Sequence, residues 1–260
     1  SQLLRSGDIE RISIVNGNLN NYQDVSRAVF TNDCSIVIHL GAQTIVGTAL
    51  FDPLTTFESN IKGSWNLLEA VRQSKGLVEA VVVASSDKAY GESEILPYTE
   101  EQALHGDGPY DVSKSCTDLL AQSYGNTYDL PITIARCGNI YGGGDLNWSR
   151  IVPGTISDLL ADRQPVLRSD GTFVRDYVHV NEICDALTQA IEKPSNSVES
   201  LGHGVGWTVK EIVDEFQKVN DVSFNVKYGP RRKGDIASSV LENVSAYMRN
   251  LYTMDELLKV

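Results

Sequence analysis

Basic residues are scarce in this 260-residue chain: 22 Lys and Arg stand against 34 Asp and Glu, a formal charge of -12. That balance argues against a nucleic-acid groove and against an anionic membrane surface, since both need a surplus of cations. It leaves room for a few arginines gathered on one phosphorylated small molecule. Cysteine is rare too. The four, Cys34, Cys116, Cys137 and Cys184, lie far apart and form no C-x-x-C pair, which argues against a zinc site or a disulfide framework. No metal is expected, and reduced thiols point to a cytoplasmic protein. No stretch has the about 18 consecutive apolar residues of a membrane span, and none reads as a signal peptide. Repeats and low-complexity tracts are absent as well. What remains is an ordinary globular composition, 42% apolar and 22% charged, with enough chain for one large domain or two small ones.

Apolar runs and helical patterns alternate along the first half. Arg11–Val15 is a short strand candidate ending at Asn16-Gly17-Asn18, and Tyr22–Phe30 has helical spacing with Val25, Ala28 and Val29 on one side. Ile36–Leu40 reads as a buried strand closed by Gly41-Ala42. Asp52-Pro53 starts a helix, because proline is tolerated in a first turn. Ile61, Trp65, Leu68 and Val71 then give that helix a core-facing stripe. Val81-Val82-Val83-Ala84 reads as a strand buried on both faces. A helix is expected over 110–127 and a strand over 132–136. This order predicts an α/β fold, a right-handed, doubly wound parallel sheet. Later the alternation loosens, with helices near 151–162, 181–192 and 208–219 and strands at 165–168, 173–180 and 224–228. The reading is a Rossmann-like domain (1–144 with 176–200) interleaved with a smaller α+β substrate domain (145–175 with 201–260).

The strand at 81–84 ends abruptly in Ser85-Ser86-Asp87-Lys88. Ligands bind at the carboxyl ends of strands in open α/β sheets, and Ser86, Asp87 and Lys88 would place three different proton-handling groups there. The plain alternative is a polar strand end entering a turn. Tyr110 and Lys114 stand at i and i+4, on one helical face. An ammonium near a phenol favours the phenolate, which would make the tyrosine a usable base. An isolated Y-x-x-x-K also occurs by chance.

Ser86, Tyr110 and Lys114, in that order after a buried strand, resemble the catalytic set of the extended short-chain dehydrogenase/reductase family, the NAD-dependent nucleotide-sugar epimerases and dehydratases. The resemblance runs over nearly the whole chain. His39-Leu40-Gly41-Ala42-Gln43 is similar to the segment beside the nicotinamide ribose. Asn60 stands where the family has an asparagine near the cofactor. Arg136-Cys137-Gly138-Asn139-Ile140-Tyr141-Gly142 is similar to the R-x-x-N-x-Y-G strand end. The resemblance therefore implies NAD contacts from Asn18, Leu19, Leu40, Gly41, Ala42, Gln43, Asn60 and Gly138, together with Ser86, Tyr110 and Lys114. Asn18 replaces an aspartate that contacts the adenine amine, and its side-chain oxygen can still accept that bond. For a nucleotide-diphosphate sugar the resemblance implies Asn139, Arg150, Val152, Arg175, Arg232 and Asp235; a guanidinium suits a diphosphate because it donates in pairs. His39 and His179 read as core or capping residues, and Trp65 as core or dimer interface. Homodimers through the helices at 53–74 and 110–127 are the family expectation.

Ser-Asp-Lys, with the Trp148–Pro153 stretch, resembles the CDP-glucose 4,6-dehydratase version of the family, in which an acid and a base eliminate water. Burial is expected to keep Asp87 protonated and Lys88 neutral for that purpose. A 4-epimerase, which returns a hydride without losing water, is the alternative enzyme. A catalytically idle sugar-nucleotide-binding protein is the alternative of another class. The family's opening strand, G-x-x-G-x-x-G turn and helix do not occur before residue 41. Asn16–Leu19 corresponds to the end of the family's third strand. The expectation is a fragment of a longer protein or a degenerate relative.

Overall fold

The computed structural model describes residues 6–167, 169–230 and 235–248. Helix α1 (Tyr22–Thr31) starts at Asn21, whose side chain accepts the Gln23 N–H, and it buries Val25 and Val29. β1 (Ile36–His39) leads to α2 (Val46–Phe51). α3 (Pro53–Phe57) begins at the expected place: Asp52 accepts from the Thr55 N–H and Pro53 sits in the first turn. A π-helical turn at Glu58–Lys62 joins it to α4 (Gly63–Gln73). β2 (Ala80–Ala84), a 3-10 turn at Asp87–Tyr90, α5 (Pro109–Tyr128) and β3 (Ile132–Cys137) follow. Then come β4 (Asn139–Tyr141), α6 (Ile151–Leu160), β5 (Val166–Leu167) and β6 (Val174–His179). The remaining elements are α7 (Val180–Glu192), β7 (Ser197–Leu201), β8 (Gly206–Thr208), α8 (Val209–Asn220), β9 (Lys227–Tyr228) and β10 (Ser238–Ser239).

The main sheet is parallel, in the order β1-β2-β3-β7. Side chains alternate across it as strand geometry requires. On β2, Val81 and Val83 join Leu68 and Val71 of α4 and Val29 of α1. Val82 faces the other way, against Ile183, Ala186 and Leu187 of α7. The strand is therefore covered on both faces, and its polar end emerges where helices flank it. A second sheet runs β10-β6-β4, with β8 antiparallel to β6, and β5 pairs with β9. Tyr141, Tyr177, Ile212 and Phe216 pack beneath the second sheet. Among the described residues no helix is long and apolar enough to cross a membrane.

Four sequence expectations need correction. Residues 8–11 form a 3-10 turn and 12–18 no strand, with Ile14 71% exposed; among the described residues no strand lies beyond β1 for that stretch to pair with. β1 is an edge strand rather than a buried one, and Ile36 and Ile38 stand half-exposed. Trp65 is exposed and Ile61, inside the π turn, only partly covered; Trp65 stands at the flank of the buried face of α4. The buried positions of α4 are Gly63, Ser64, Asn66, Leu67, Leu68, Ala70 and Val71. Finally, β7 has no counterpart among the expected strands, since Ser197-Val198-Glu199-Ser200-Leu201 carries only two apolar residues.

An ion pair closed off from water joins β3 to α5. Arg136 Nε and Nη2 donate to Asp118 Oδ2 and Oδ1 at 2.9 and 3.0 Å, with side-chain exposures of 2% and 0%. Asp118 also accepts from Ser85 Oγ at 2.6 Å, and Arg136 Nη1 donates to Tyr90 Oη at 2.7 Å. These two contacts grip the polar turn on either side of Ser86–Ala89. Gly91 ends the turn at φ +75°, where a side chain would be strained and a Cβ would fall 2.0 Å from the His105 carbonyl oxygen. Removing one partner of a buried ion pair leaves a charge with nothing to meet it. Asp118→Ala is therefore expected to cost about 3–5 kcal/mol of stability, measured as a lowered urea midpoint; an unchanged midpoint would show that the pair does not hold the fold.

Candidate active site

The site is built where β2 stops. Ser86 caps the 3-10 turn, its Oγ accepting the Lys88 N–H at 3.2 Å and donating to Asp87 Oδ1 at 3.0 Å. Lys88 Nζ donates to Asp87 Oδ2 at 2.8 Å; Asp87 is buried and the Lys88 side chain is 14% exposed. Tyr110 lies in the first turn of α5, where Pro109 sets the helix start, and its phenol hydrogen-bonds Ser86. Ser86, Asp87, Lys88 and Tyr110 are thus brought together. Lys114, buried one turn along, donates to the Ala84 carbonyl at 2.8 Å, at the last residue of β2.

Protonation departs from the sequence expectation in two places. The Tyr110 phenol is held above its ordinary value, chiefly by burial and further by Asp87 and Asp111, against the pull of Ser86 and Arg150. The expected lowering by Lys114 does not occur, because that ammonium is turned to the Ala84 carbonyl. Burial pushes Lys114 down to about 8, with Cys137 and Asp118 opposing. The expected protonated Asp87 is not found either. Burial does push it upward, but the charge of Lys88 and hydrogen bonds from Lys88, Ser239 and Ser86 outweigh that, and its carboxyl lies below the usual range. Lys88 is shifted downward, mainly by burial and also by Arg175, with Asp87 opposing; that direction matches the expectation.

Two groups at this turn escaped the sequence reading. Ser239, buried on β10, donates to Asp87 Oδ2 and accepts from Lys88 Nζ at 3.2 Å. Asp111, in the first turn of α5, is pushed up to about 6 by burial, with Lys88 opposing. Ser239 had no local signal, because its partners lie on the far side of the sequence. Asp111 could have been singled out as an acidic neighbour of Tyr110 in the Y-x-x-x-K turn.

The positions expected to contact NAD divide into two sets. Asn18, Leu19, Ala42 and Gln43 line a cavity of about 500 Å³ together with Gly17, Asn20 and Ser59. Asn18 Oδ1 accepts from the Asn20 N–H at 2.9 Å. Asn20 Oδ1 is buried without a partner, an acceptor that suits a ligand amine or hydroxyl. These residues fit the adenosine side of NAD. Asn60 instead braces the cavity wall: its Oδ1 accepts from Gln43 N–H at 2.7 Å, and its Nδ2 donates to the Gln43 carbonyl and to Ser113 Oγ. Leu40 is exposed, Gly41 packs against Leu19, and the Gly138 N–H donates to the Leu201 carbonyl at 3.0 Å. Gly138 passes so close to β6 that a Cβ would meet the Asp176 carbonyl oxygen at 2.8 Å.

On the substrate side, Asn139 hydrogen-bonds Tyr177 across β4 and β6. Arg150 pairs with Asp145 at 3.0 Å, and its charge reaches Tyr110. Val152 packs into the Tyr141 cluster. The Arg175 guanidinium donates to the carbonyls of Val174, Ile236 and Ala237. Asp235 is half-buried, and Arg232 lies outside the described residues. His179 Nδ1 accepts from the Asn181 N–H at the start of α7.

Residues 2–202 match the model described as the NAD dependent epimerase/dehydratase family. The chain belongs to that family. A UDP-glucose 4-epimerase of Rhizobium meliloti (strain 1021) is 28% identical over 88% of this chain and 75% of its own length. A dTDP-glucose 4,6-dehydratase of Mycolicibacterium smegmatis is 32% identical over 66% of this chain and 51% of its own. For the CDP-glucose 4,6-dehydratase of Salmonella typhimurium the figures are 29%, 70% and 52%. The chain thus spans about half the length of these two dehydratases. Among solved structures, a Thermus thermophilus UDP-glucose 4-epimerase in complex with NAD superposes with a TM-score of 0.85 at 28% identity, covering 95% of this chain and 83% of that one. The family's Rossmann fold and its dependence on NAD accord with the parallel sheet and the cavity at the end of β1.

His39 gives this site a pH dependence. Its ring is buried against Ser64 Oγ at 2.9 Å, and burial, then Lys114, lowers it from 6.5 to about 4. The unfolded chain therefore binds a proton between pH 6.5 and 4 that the folded chain refuses, so this stability is present above 6.5 and is lost as pH falls through 4. The loss is on the order of 3 kcal/mol. Urea unfolding of wild type and His39→Gln across pH 7 to 4 is expected to show a difference that shrinks with acid; parallel curves would mean that His39 is not the group refusing the proton.

Proposed function

We propose that this chain carries the catalytic residues of a nucleotide-sugar 4,6-dehydratase, which converts an NDP-hexose to its 4-keto-6-deoxy form. CDP-glucose is the substrate favoured by the Ser-Asp-Lys triplet. The observation that carries the reading is the buried Asp87–Lys88 pair directly after Ser86. Asn18, Leu19, Ala42 and Gln43 would hold NAD, which supplies the temporary hydride acceptor when bound.

Tyr110 takes the proton from the carbon-4 hydroxyl while Ser86 hydrogen-bonds that oxygen. Each unit by which the phenol lies above neutrality costs about 1.4 kcal/mol to ionise. Lys114 swinging from the Ala84 carbonyl toward Tyr110 would offset part of that cost. The ketone formed at carbon 4 acidifies the carbon-5 proton. Lys88 as the neutral amine removes it, and Asp87 as the acid protonates the departing carbon-6 hydroxyl. The hydride taken from carbon 4 would then return to carbon 6 while Lys88 gives its proton back to carbon 5, which completes the 4-keto-6-deoxy product. The ion pair and this neutral pair hold the same number of protons; they differ only in which side of the 2.8 Å hydrogen bond one proton occupies. The transfer therefore needs no proton from solvent.

The second reading is a 4-epimerase, favoured by relatives of that activity at similar identity. It needs only Ser86, Tyr110 and Lys114. Incubating the full-length protein with NAD and CDP-glucose separates the two readings: the dehydratase product is lighter by one water, the epimer is not. Lys88→Met is expected to lower elimination by at least about a hundredfold while hydride exchange at carbon 4 persists. Elimination at the wild-type rate in that variant would remove Lys88 from the mechanism.

We also propose a homodimer through α4 and α5. Both helices present a large apolar side chain to solvent, Trp65 and Leu119, as an interface between copies would require. Sedimentation velocity is expected to give a dimer for the wild type and a monomer for Trp65→Glu; a wild-type monomer would sink the idea.

A further inference from the structure

The strand β10 takes no part in the chemistry above, yet it ends inside the catalytic turn. It lies parallel to β6, with Ser238 opposite Val174 and Ser239 opposite Arg175. Arg175 ties down the residues before it, donating to the Ile236 carbonyl at 2.6 Å and the Ala237 carbonyl at 3.2 Å. Tyr98 ties down the residues after it: its N–H donates to the Val240 carbonyl and its carbonyl accepts the Glu242 N–H, each at 2.8 Å. Leu241, wholly buried, packs with Tyr90 and Tyr98. A strand held on both sides has little freedom to shift.

Ser239 is wholly buried at the centre of this strap. Its Oγ donates to Asp87 Oδ2 and accepts from Lys88 Nζ at 3.2 Å, while Lys88 Nζ donates to Asp87 Oδ2 at 2.8 Å. The three side chains close a triangle. A hydroxyl suits this place because it offers one donor and two acceptor lone pairs, so it serves an anion and a cation at once. A small buried polar residue could merely fill space, but that role would not require contact with both members of the pair.

We propose that Ser239 is a positioning residue for the Asp87–Lys88 acid/base pair, fixing both groups from the second sheet. This rests on the dehydratase reading, in which the working form of the pair carries a single transferable proton. Adding a proton to the pair closes the acid limb of elimination, and removing one closes the alkaline limb. Without the Ser239 hydroxyl the carboxylate loses a donor and the ammonium loses an acceptor. The acid limb then moves up, the alkaline limb moves down, and the bell narrows from both sides. Asp111 and Tyr110 on α5, Arg175 on β6, Tyr98 beside β10 and Cys137 on β3 also face the pair. None of them is altered by the change, so narrowing reports the hydroxyl.

The test compares wild type, Ser239→Ala and Ser239→Thr in the full-length protein with NAD and CDP-glucose. Ser239→Ala is expected to lower kcat for elimination at least about tenfold with KM nearly unchanged and with both limbs moved inward. Ser239→Thr, which keeps the hydroxyl, is expected to recover most of the width. A wild-type rate and profile in Ser239→Ala, or a lower rate with both limbs in place, overturns the proposal. A second measurement needs no turnover: the Lys88 amine is titrated by nitrogen NMR of labelled lysine, and its midpoint is expected to fall by about one pH unit in Ser239→Ala. If wild type never releases water, the dehydratase reading fails; an unchanged Lys88 midpoint overturns the role of Ser239 separately.

Discussion

Asp118 and Arg136 are both sealed from water, and neither can be left there without the other. Two desolvated charges are tolerated only when their geometry is good and the remaining donors and lone pairs are used. Here they are used on the Ser85–Tyr90 turn. Asp118 takes the Ser85 hydroxyl, and Arg136 reaches the Tyr90 phenol and the Glu100 carbonyl. The guanidinium also lies 4.9 Å from the Tyr90 ring centre, and that ring stacks on Tyr98 at 4.6 Å. The turn between Ser85 and Tyr90 therefore has both ends fixed to one network, and Ser86, Asp87 and Lys88 take their places from it. Packing alone would hold β2 in the sheet, but it would not set the direction of the side chains past its end.

The interior at this turn is a poor home for charge. Burial moves Lys88 and Lys114 down and Tyr110 and Asp111 up. Asp87 resists, because an ammonium and two hydroxyls give it hydrogen bonds that burial cannot outweigh. One anion with one cation beside it is the result. The sequence expectation considered burial alone and so placed the proton on Asp87. The donors that decide otherwise include Ser239, which stands 152 residues away.

What could be read from the sequence was what neighbours in sequence decide. The Asp52 cap with Pro53 behind it depends on contacts within a few residues, and the valines of β2 show their burial in their own composition; both fell where expected. Residues 12–15 looked like a strand because they have the composition of one, but strand formation needs a partner. Trp65 has the spacing of the core stripe but stands at its flank, where burial depends on what packs beside the helix and not on period. Ser197–Leu201 gave no strand signal because β3 supplies its hydrogen bonds and its polar residues are accommodated by neighbours such as Ser245, which donates to Glu199 at 2.8 Å. The unpartnered oxygen of Asn20 was invisible for the same reason: burial is a property of the assembled cavity.

A distinction follows within the site itself. Ser86, Tyr110 and Lys114 come from the end of β2 and from α5, two elements of the main sheet and its helical cover. Hydride exchange at a sugar carbon, the step common to epimerases and dehydratases, needs only that set. The Asp87–Lys88 pair is completed by Ser239, which is in place only when β10 has paired with β6 and the loop around Tyr98 has closed on it. In the dehydratase reading, elimination would depend on the second sheet in a way that hydride exchange would not. That difference gives a physical account of how one fold can host both reactions. In that reading, the shared step would rest on residues of the main sheet and its helical cover, and the distinguishing step on a pair completed by a strand of the second sheet.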